Sequence, residues 1–375
     1  MNRIEEFIER NLDRCVELLE TLGKIPSPSG KEDKRASFIL DFFHSNGSHD
    51  AYIDEDKNVV CPINTSQNRK FTVLMAHTDV VQNDTGEYPM RREGNILYAP
   101  GIGDDTANLV NLLFGYLYLM ENRERLDRSV LIVASSSEEG LGNLKGCKRI
   151  FSTYRDRIEE FYAFDLYLGL CTSTPVGSHR YKISVKSEGG HSYSDFGRRN
   201  AIVDISNLIC ALDSIKLPED ARTTYNFGVI EGGTTINSIP QSCSVLYEYR
   251  SSSQACLEYM KDRFESVIES ARKSGVDISV ELLGIRPGLG LEDKERLCSF
   301  TEKNIEIIKK HYSGEIDTGE YSTDMNIPLS LGIVSNTIGT IRGSGAHTRE
   351  EWVDLDSIPV GLSIVLDILD GFLDS

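Results

Sequence analysis

Apolar residues recur in two different patterns along this chain, and the change between them predicts two domains. Residues 71–76 and 129–134 are apolar almost without alternation, which is typical of strands buried on both faces of a mainly parallel sheet. Residues 181–186 instead alternate between apolar and polar side chains, so this strand has one wet face and indicates an antiparallel sheet. The pattern predicts an α/β domain with a different domain inserted in it.

Helical spacing and further buried runs complete the α/β domain. Residues 1–23 carry apolar residues at helical intervals, residues 106–120 are apolar enough for a buried helix, and residues 358–373 are expected to form the closing helix. Ser29 followed three residues later by Glu32 is a capping-box signal for another helix, which reaches about Phe43. Further strands are expected near residue 60 and over residues 161–164 and 333–338. Strands alternating with helices in this way predict a three-layer α/β fold.

The inserted segment predicts a compact fold of its own. Its expected helices cover residues 201–212 and 254–273, and its other expected strands cover residues 223–230, 242–250 and 277–283. Four antiparallel strands with two helices on one face form a compact α+β domain. We therefore place the α/β domain at residues 1–177 and 288–375, and the inserted domain at residues 178–287.

Composition narrows the classes of function. The 375 residues include 58 acidic and 40 basic ones, with a net charge of −18. We expect no nucleic-acid or anionic-membrane partner, because phosphate groups would be repelled. No apolar run approaches the roughly 20 residues that a bilayer span needs. The eight cysteines form no CxxC pair, which favours reduced thiols in a cytoplasmic enzyme.

Short acidic or histidine-bearing segments stand where apolar runs give way to loops. They are HTD at 77–79, GDD at 103–105, SEEG at 137–140 and FD at 164–165, with AHT at 346–348 later in the chain. An α/β scaffold presents functional side chains at the carboxyl ends of its strands. Two zinc ions about 3.5 to 4 Å apart need a bridging carboxylate and terminal histidine or carboxylate ligands. Together the segments predict a two-metal hydrolase.

Each segment on its own also fits an ordinary structural role. A histidine at a strand end is often structural, and Asp104 with Asp105 could form an N-cap pair for the next helix. Glu138 and Glu139 could lie in a solvated acidic loop. Asp165 alone is typical of an Asx-turn. The occurrence of all five segments in this order favours the metal site.

Nearly the whole chain resembles a family of co-catalytic di-zinc metallopeptidases. The shared motifs are HTD at 77–79, GIGDD at 101–105, SEEG at 137–140, FD at 164–165, GGHS at 189–192, GGTTINSIP at 232–240, YRS at 249–251, STDMN at 322–326 and GAHTREEWV at 345–353. The family includes peptidase T, glutamate carboxypeptidase, succinyl-diaminopimelate desuccinylase and the aminoacylases. Asp at 165 and the sequence YSDFG at 193–197, which follows the GGHS motif, favour the peptidase T-like branch. The resemblance implies a three-layer zinc-exopeptidase domain with an inserted lid and dimerisation domain.

The resemblance also implies a ligand set for two zinc ions per chain. One ion would be held by His77, Asp104 and Asp165. The other would be held by Asp104, Glu139 and His347, which makes Asp104 the bridge. Cobalt or manganese could replace zinc, because nitrogen and oxygen ligands accept several divalent ions.

The remaining roles likewise come from the resemblance. Asp79 would hydrogen-bond the far imidazole nitrogen of the first histidine ligand, and Glu138 would be the general base. His191 in the lid would donate a hydrogen bond to the developing oxyanion, in its own active site or its partner's. Asn237 and Arg250 would bind the carboxylate of the substrate. The structural alternatives are a loop histidine in a glycine turn and an arginine on the sheet surface.

These roles predict an exopeptidase that hydrolyses short peptides. A close alternative is an N-acyl-amino-acid amidohydrolase or a carboxypeptidase that uses the same chemistry. A distant alternative is a non-catalytic metal-binding protein, which the presence of Glu138 and all five ligands disfavours. The resemblance and the strand at residues 181–186 also predict a homodimer, formed through the outer edge of the lid sheet.

Overall fold

The chain, described here from a computed structural model, folds as two compact units. The structure describes residues 2–65 and 69–374. The first unit comprises Met1–Thr174 and Gly290–Ser375, and the second comprises Pro175–Leu289. Met1, at which the first predicted helix begins, lies outside the described residues.

The helices follow the predicted order, with additional ones between them. They are α1 (Arg3–Lys24), α2 (Asp33–Ser45), α3 (Asn108–Glu121), α4 (Lys145–Tyr154), α5 (Ala201–Asp213), α6 (Gln254–Lys273), α7 (Lys294–His311), α8 (Asn326–Ser330) and α9 (Ile358–Asp370). Among the described residues, none of the helices has both the length and the apolar composition that crossing a membrane requires.

The strands of the described residues form one seven-stranded sheet, two four-stranded sheets and two two-stranded pairings. They are β1 (Tyr52–Ile53), β2 (Val59–Ile63), β3 (Phe71–His77), β4 (Arg91–Glu93), β5 (Ile96–Tyr98), β6 (Val130–Ser135), β7 (Ile158–Phe164), β8 (Cys171–Thr172), β9 (Thr174–Pro175), β10 (Gly177–Lys186), β11 (Gly190–His191), β12 (Thr223–Gly232), β13 (Ser238–Ile239), β14 (Ser242–Ser251), β15 (Asp277–Arg286), β16 (Glu320–Tyr321), β17 (Val334–Ile338), β18 (Gly343–Ser344) and β19 (Trp352–Asp354).

A seven-stranded sheet forms the middle layer of the first unit. Its order is β1-β2-β6-β3-β7-β17-β8, and β6, β3, β7 and β17 run parallel to their neighbours in this series. Every residue of β3 and β6 is buried. Burial on both faces explains why these strands show little alternation in the sequence.

Helices cover both faces of this sheet. On one face α3, which is buried along almost its whole length, contacts β3, β6 and β7 and packs against α9. On the other face α4 contributes Cys147 and Ile150 to a core that includes Val73, Met75 and Val133. The predicted three-layer α/β architecture is therefore confirmed.

The second unit contains a four-stranded antiparallel sheet in the order β12-β14-β10-β15. Tyr181, Ile183 and Val185 of β10 alternate with more exposed residues and share one core with residues of α5 and α6. The predicted α+β fold is confirmed. However, β10 pairs on both sides, so the strand that suggested edge pairing in a dimer is internal. The sheet edges are β12 and β15.

The helix predicted from residue 106 begins slightly later than expected. A tight turn of π-helical geometry spans Ile102–Ala107 and precedes α3. The N-cap of α3 is Ala107, and this end of the helix has no side-chain cap. The reading of Asp104 and Asp105 as a capping pair is therefore wrong, and both side chains are buried in the first unit.

Candidate metal centre

Three neighbouring parallel strands deliver the first group of predicted site residues. His77 is the last residue of β3, Asp165 directly follows β7, and the SEEG loop begins two residues after β6 ends. These strands lie side by side in the order β6-β3-β7. Because the carboxyl ends of parallel strands meet at one edge of the sheet, the sheet brings these segments together.

Asp104 lies between the two predicted histidine ligands. Its Oδ1 is 3.0 Å from Nε2 of His77, and its Oδ2 is 3.3 Å from Nε2 of His347. Glu139 Oε1 is 3.0 Å from Nε2 of His347. Asp165 Oδ1 is 3.8 Å from Nε2 of His77. All five predicted ligands therefore lie in one cluster, with Asp104 at its middle.

The spacing of these atoms fits metal binding. Two ligand atoms of a tetrahedral zinc ion, each bonded at about 2.0 Å, lie about 3.3 Å apart. The four nitrogen–oxygen distances, between 3.0 and 3.8 Å, bracket that value. Asp165 Oδ1 is buried and has no hydrogen-bond partner among the described residues. An ion would supply the interaction that this oxygen lacks.

Asp105 also lies close to the cluster, but its geometry differs from that of Asp104. Asp105 Oδ2 accepts a 2.7 Å hydrogen bond from the backbone nitrogen of His77, and its Oδ1 is buried without a hydrogen-bond partner in the described part of the chain. The ligand atoms of Asp105, His77 and Asp165 lie close enough together to hold a metal ion. Only Asp104 has one carboxylate oxygen near each histidine, so the geometry favours Asp104 as the bridge.

The acid groups of the cluster perturb one another. Burial, and then the negative charge of Asp104, raises the pKa of Glu139 to about 7. Burial and the neighbouring aspartates raise the pKa of Asp165 well above its ordinary value. Burial also opposes the charged form of Asp104, but hydrogen bonds with the two histidines hold its pKa below the usual range. Divalent cations would offset this crowding of negative charge.

The histidine on the more exposed side is also perturbed. Hydrogen bonds to Asp104 and then to Glu139 raise the pKa of His347 to about 10. Because histidine binds a metal ion only as neutral imidazole, protons and metal compete for this side chain. The competition predicts metal affinity that rises with pH.

Asp79 links the first histidine to the glutamate loop. His77 Nδ1 is 3.0 Å from the backbone oxygen of Asp79 and 3.5 Å from its Oδ1. The carboxylate also accepts hydrogen bonds from the backbone nitrogens of Glu138, at 2.9 Å, and Glu139, at 3.0 Å. Ser29 Oγ donates a further bond of 2.6 Å. The nearest partner of Nδ1 is thus the backbone oxygen of Asp79, and the Asp79 carboxylate also holds the loop.

The predicted capping box is wrong, and its two residues support this loop instead. Glu32 makes no capping bond at the start of α2. Its Oε1 accepts hydrogen bonds from the backbone nitrogen and the hydroxyl of Ser137, at 3.1 and 3.0 Å. Ser137 has a φ of 54°, so these bonds stabilise a left-handed turn just before Glu138. The spacing of Ser29 and Glu32 is compatible both with a capping box and with the observed contacts to the loop, so the sequence alone could not distinguish them.

The glutamates are not solvated, and another buried acid accompanies them. Glu138 and Glu139 are both buried, so the reading of an exposed acidic loop is wrong. Asp324 Oδ2 accepts a 2.9 Å hydrogen bond from Ser135 Oγ. Burial, and then the charge of Glu138, raises the pKa of Asp324 to about 7. Asp324 lies in the STDMN motif, but the hydrophobic pattern gives no sign of its burial.

His191 and Asn237 are neighbours within the second unit. β11, which ends at His191, pairs with β13, and Ser192 donates a 3.0 Å backbone hydrogen bond to Asn237. His191 Nδ1 accepts bonds from the backbone nitrogens of Tyr193 and Ser194, both at 3.3 Å. In a neutral imidazole whose Nδ1 accepts, Nε2 carries the proton. The exposed ring therefore offers an N–H donor at Nε2.

Arg250 already has a carboxylate partner in its own strand. Its Nε and Nη2 donate to the two oxygens of Glu248, at 2.9 and 3.1 Å. Arg180 Nε also donates to Glu248, at 3.3 Å. A substrate carboxylate at Arg250 would therefore share the guanidinium with Glu248 or displace it. No pattern in the sequence points to Glu248.

Comparisons with known proteins identify the family of this chain. Residues 73–371 match the model of the family described as peptidase family M20/M25/M40. Uncharacterized protein YqjE of Bacillus subtilis is 22% identical over 325 residues, covering 84% of each chain. Carboxypeptidase G2 of Pseudomonas sp. is 23% identical over 303 residues, covering 77% of this chain and 71% of that protein. The sequence similarity thus extends over most of the chain.

The fold is shared with solved structures as well. A tripeptidase from Staphylococcus aureus superimposes with a TM-score of 0.77 at 21% identity, covering 96% of this chain and 98% of that one. The family match covers part of both segments of the first unit and the whole inserted unit. The chain therefore belongs to peptidase family M20/M25/M40 and is a metal-dependent hydrolase of peptide or amide bonds.

Proposed function

We propose that this chain is a di-zinc exopeptidase that hydrolyses short peptides. The observation that carries the proposal is the position of Asp104, with one carboxylate oxygen near each histidine and with Glu139 and Asp165 beside them. When bound, two zinc ions polarise the scissile carbonyl and lower the pKa of bound water. Cobalt or manganese would suit the same nitrogen and oxygen ligands.

Glu138 is the general base in this proposal. It is buried, and Asp79 holds its backbone nitrogen at 2.9 Å. Glu32 holds Ser137 in a left-handed turn, and this turn sets the direction of the backbone at Glu138. From this position Glu138 takes a proton from the attacking water and passes it to the leaving amine.

The second unit supplies the groups that bind substrate. His191 donates its Nε2 proton to the oxyanion that forms at the scissile carbonyl. Asn237, which directly precedes β13 and accepts a backbone hydrogen bond from Ser192, and Arg250 bind the carboxylate of the peptide. Because Arg250 donates to both carboxylate oxygens of Glu248, its guanidinium is held in place before substrate arrives.

The test is hydrolysis by the zinc-loaded protein of di- and tripeptides with free amino termini, beside the same compounds N-acetylated. Cleavage of only the free-amine peptides supports an aminopeptidase or dipeptidase. Preference for the acetylated set moves the assignment to a deacylase or a carboxypeptidase, which the products distinguish. Zinc binding without turnover of either set favours the non-catalytic alternative.

We also propose that the protein is a homodimer joined through β12 of the second unit. β12 pairs with β14 on one side only. Its Val229 and Ile230 are 46% and 55% exposed, and Ile236 in the following loop is fully exposed. An open strand edge with apolar side chains is a template for pairing with a second copy. Light scattering that finds only a 41.9 kDa species would refute the dimer, and Ile230→Lys should weaken it.

The cysteines support a cytoplasmic site of action. All eight are free thiols in the described part of the chain, and six of them are buried. Proteins of oxidising compartments commonly carry disulfides. Fractionation of the native cells that recovers the protein outside the cytoplasm would contradict this assignment.

A further inference from the structure

We infer that Glu351 is a positioning residue of the metal centre, whose carboxylate fixes the backbone that carries Asp104. The inference rests on the proposed function, because it takes Asp104 to be the bridging ligand. Glu351 belongs to the GAHTREEWV segment and lies four residues after His347.

The carboxylate of Glu351 collects three backbone donors from one turn. Oε2 accepts a 2.8 Å hydrogen bond from the nitrogen of Gly101. Oε1 accepts bonds from the nitrogens of Gly103, at 2.9 Å, and Asp104, at 2.6 Å. Bonds from N–H groups to a charged carboxylate are short and roughly twice as strong as neutral ones. The turn before α3 is thus held at three points by one side chain.

The turn is shaped to receive this carboxylate. Gly101 has a φ of 65°, a left-handed conformation that glycine adopts without strain. A Cβ atom at Gly103 would lie 2.8 Å from the ring of Tyr167 and 3.1 Å from Glu351 Oε1. Glycine at this position therefore allows the close approach, and the carboxylate closely fits the space beside the backbone.

Burial makes these bonds consequential. Glu351 is fully buried, and its neighbours Asp104 and Gly103 are buried as well. A buried carboxylate that lost its donors, or buried N–H groups that lost their acceptor, would each cost free energy. A change in the backbone of the turn would therefore break these three hydrogen bonds, and loss of the bonds would allow the turn to move.

The same segment also carries the second histidine ligand. The backbone oxygen of Glu351 accepts a 3.1 Å bond from Ala99, and β19, which follows directly, pairs with β5. His347 and the three-donor contact thus belong to one anchored loop. Glu351 therefore sets the position of Asp104 relative to His347. Asp104 Oδ2 lies 3.3 Å from Nε2 of His347. Partners of this kind typically change metal affinity by about 10- to 100-fold.

The experiment measures zinc affinity by competition with a chromophoric chelator, for Glu351→Ala, Glu351→Gln and the wild type. Glu350→Gln is the matched control, because Glu350 is the adjacent carboxylate and is exposed. We expect zinc affinity to fall about 10- to 100-fold in both Glu351 variants. In Glu350→Gln the affinity should stay within about twofold of the wild type, since surface ion pairs contribute little.

Chemical rescue separates positioning from a general loss of stability. Glu351→Ala removes a group with the shape of acetate, so added acetate can occupy the space and accept from the three nitrogens. Acetate should restore zinc affinity and the visible spectrum of the cobalt-loaded Glu351→Ala protein, whereas acetamide should not. If Glu351→Ala does not fold, the same spectrum is compared in Glu351→Gln, where a changed spectrum is expected.

Two results would overturn the inference. One is zinc affinity in Glu351→Gln within about twofold of the Glu350→Gln control. The other is a loss of affinity that acetate does not restore and that parallels the loss in unfolding temperature of the metal-free protein. If the wild type itself bound no zinc or hydrolysed no peptide, the proposed function would fail, which is a distinct outcome.

Discussion

The two units carry their predicted functional residues in different physical states. In the first unit His77, Asp104, Glu139 and Asp165 are buried among other acids. In the second unit His191 is exposed and Arg250 is half-exposed. Burying several carboxylates close together costs free energy, whereas exposed polar residues cost almost none. The first unit therefore indicates a function through its own electrostatics, and the second does not.

The difference in burial between the two units predicts different effects of substitution. Residues of the buried cluster hold one another in place, so changing one of them should alter metal binding, stability or chemistry together. Exposed residues of the second unit touch few neighbours, so changing them should alter catalysis without altering stability. Substitutions in both units can therefore test whether the contrast is real.

The largest effect is expected for the general base. Glu138→Ala should keep both zinc ions, because Glu138 is not among the proposed ligands, and should lower kcat by at least about 10³-fold. Metal content and steady-state kinetics measure both quantities. Glu124→Ala, which changes an exposed glutamate of the same unit, should behave as wild type. Normal kcat in Glu138→Ala would sink the mechanism.

A smaller effect on rate, with no effect on stability, is expected in the second unit. His191→Ala removes the proposed oxyanion donor and should lower kcat about 10² to 10³-fold. The unfolding temperature should stay unchanged, since the side chain is exposed. Tyr193, 88% exposed in the same loop, provides the control Tyr193→Ala. Equal kcat in His191→Ala and its control would remove His191 from the catalytic apparatus.

Substrate binding should respond more weakly still. Arg250→Lys loses the planar fork that binds a carboxylate at two points, and KM should rise about tenfold with little change in kcat. Glu248→Gln removes the internal partner of Arg250 and should not raise KM. Parallel kinetics on a peptide and on its C-terminal amide check the role. An unchanged KM for the free carboxylate in Arg250→Lys would contradict it.

The smallest predicted effect concerns the pH dependence of stability and arises from the candidate metal ligands. Folding raises the pKa of Glu139 from 4.5 to about 7 and that of His347 from 6.5 to about 10. Both groups bind protons more tightly in the folded metal-free protein, so its free energy of unfolding falls as pH rises through that range. The pKa values of Asp104 and Asp79 are instead lowered from 3.8, so these two groups change the free energy of unfolding only in more acidic solution.

Thermal unfolding of the chelator-treated and zinc-loaded protein between about pH 5 and pH 9 measures this effect. The unfolding temperature of the metal-free form should fall with rising pH. The gain from added zinc should grow, because metal replaces the protons that these ligands lose. A metal-free protein that becomes more stable across this range would show that the ligands are not perturbed as described.

Much of the fold followed from the sequence because its elements are set by local pattern. Helix α6 (Gln254–Lys273) matches the predicted segment residue for residue, and the buried strands lie within a few residues of their predicted positions. The helices α4 and α7 were not predicted, nor were short elements such as α8 and the pairing of β4 with β5. A segment of three to five residues is too short to show a period.

The site shows the same division. The five proposed ligands and Glu138 were found in the sequence because each belongs to a short motif with its own residue type and order. Glu32 was read as a helix cap, yet it binds Ser137, 105 residues away. Glu351 accepts from backbone nitrogens almost 250 residues away. Such partners share no local pattern, and only packing brings them together.

The sequence by itself determined the type of most long elements, the inserted domain and the candidate metal ligands, because periodicity and short motifs can be read from the chain without its fold. The tertiary structure alone decided which oxygen of Asp104 faces which histidine, that β10 is internal, and that Arg250 is paired with Glu248. These facts depend on distances between segments remote in sequence, which are set by the packing of the whole unit.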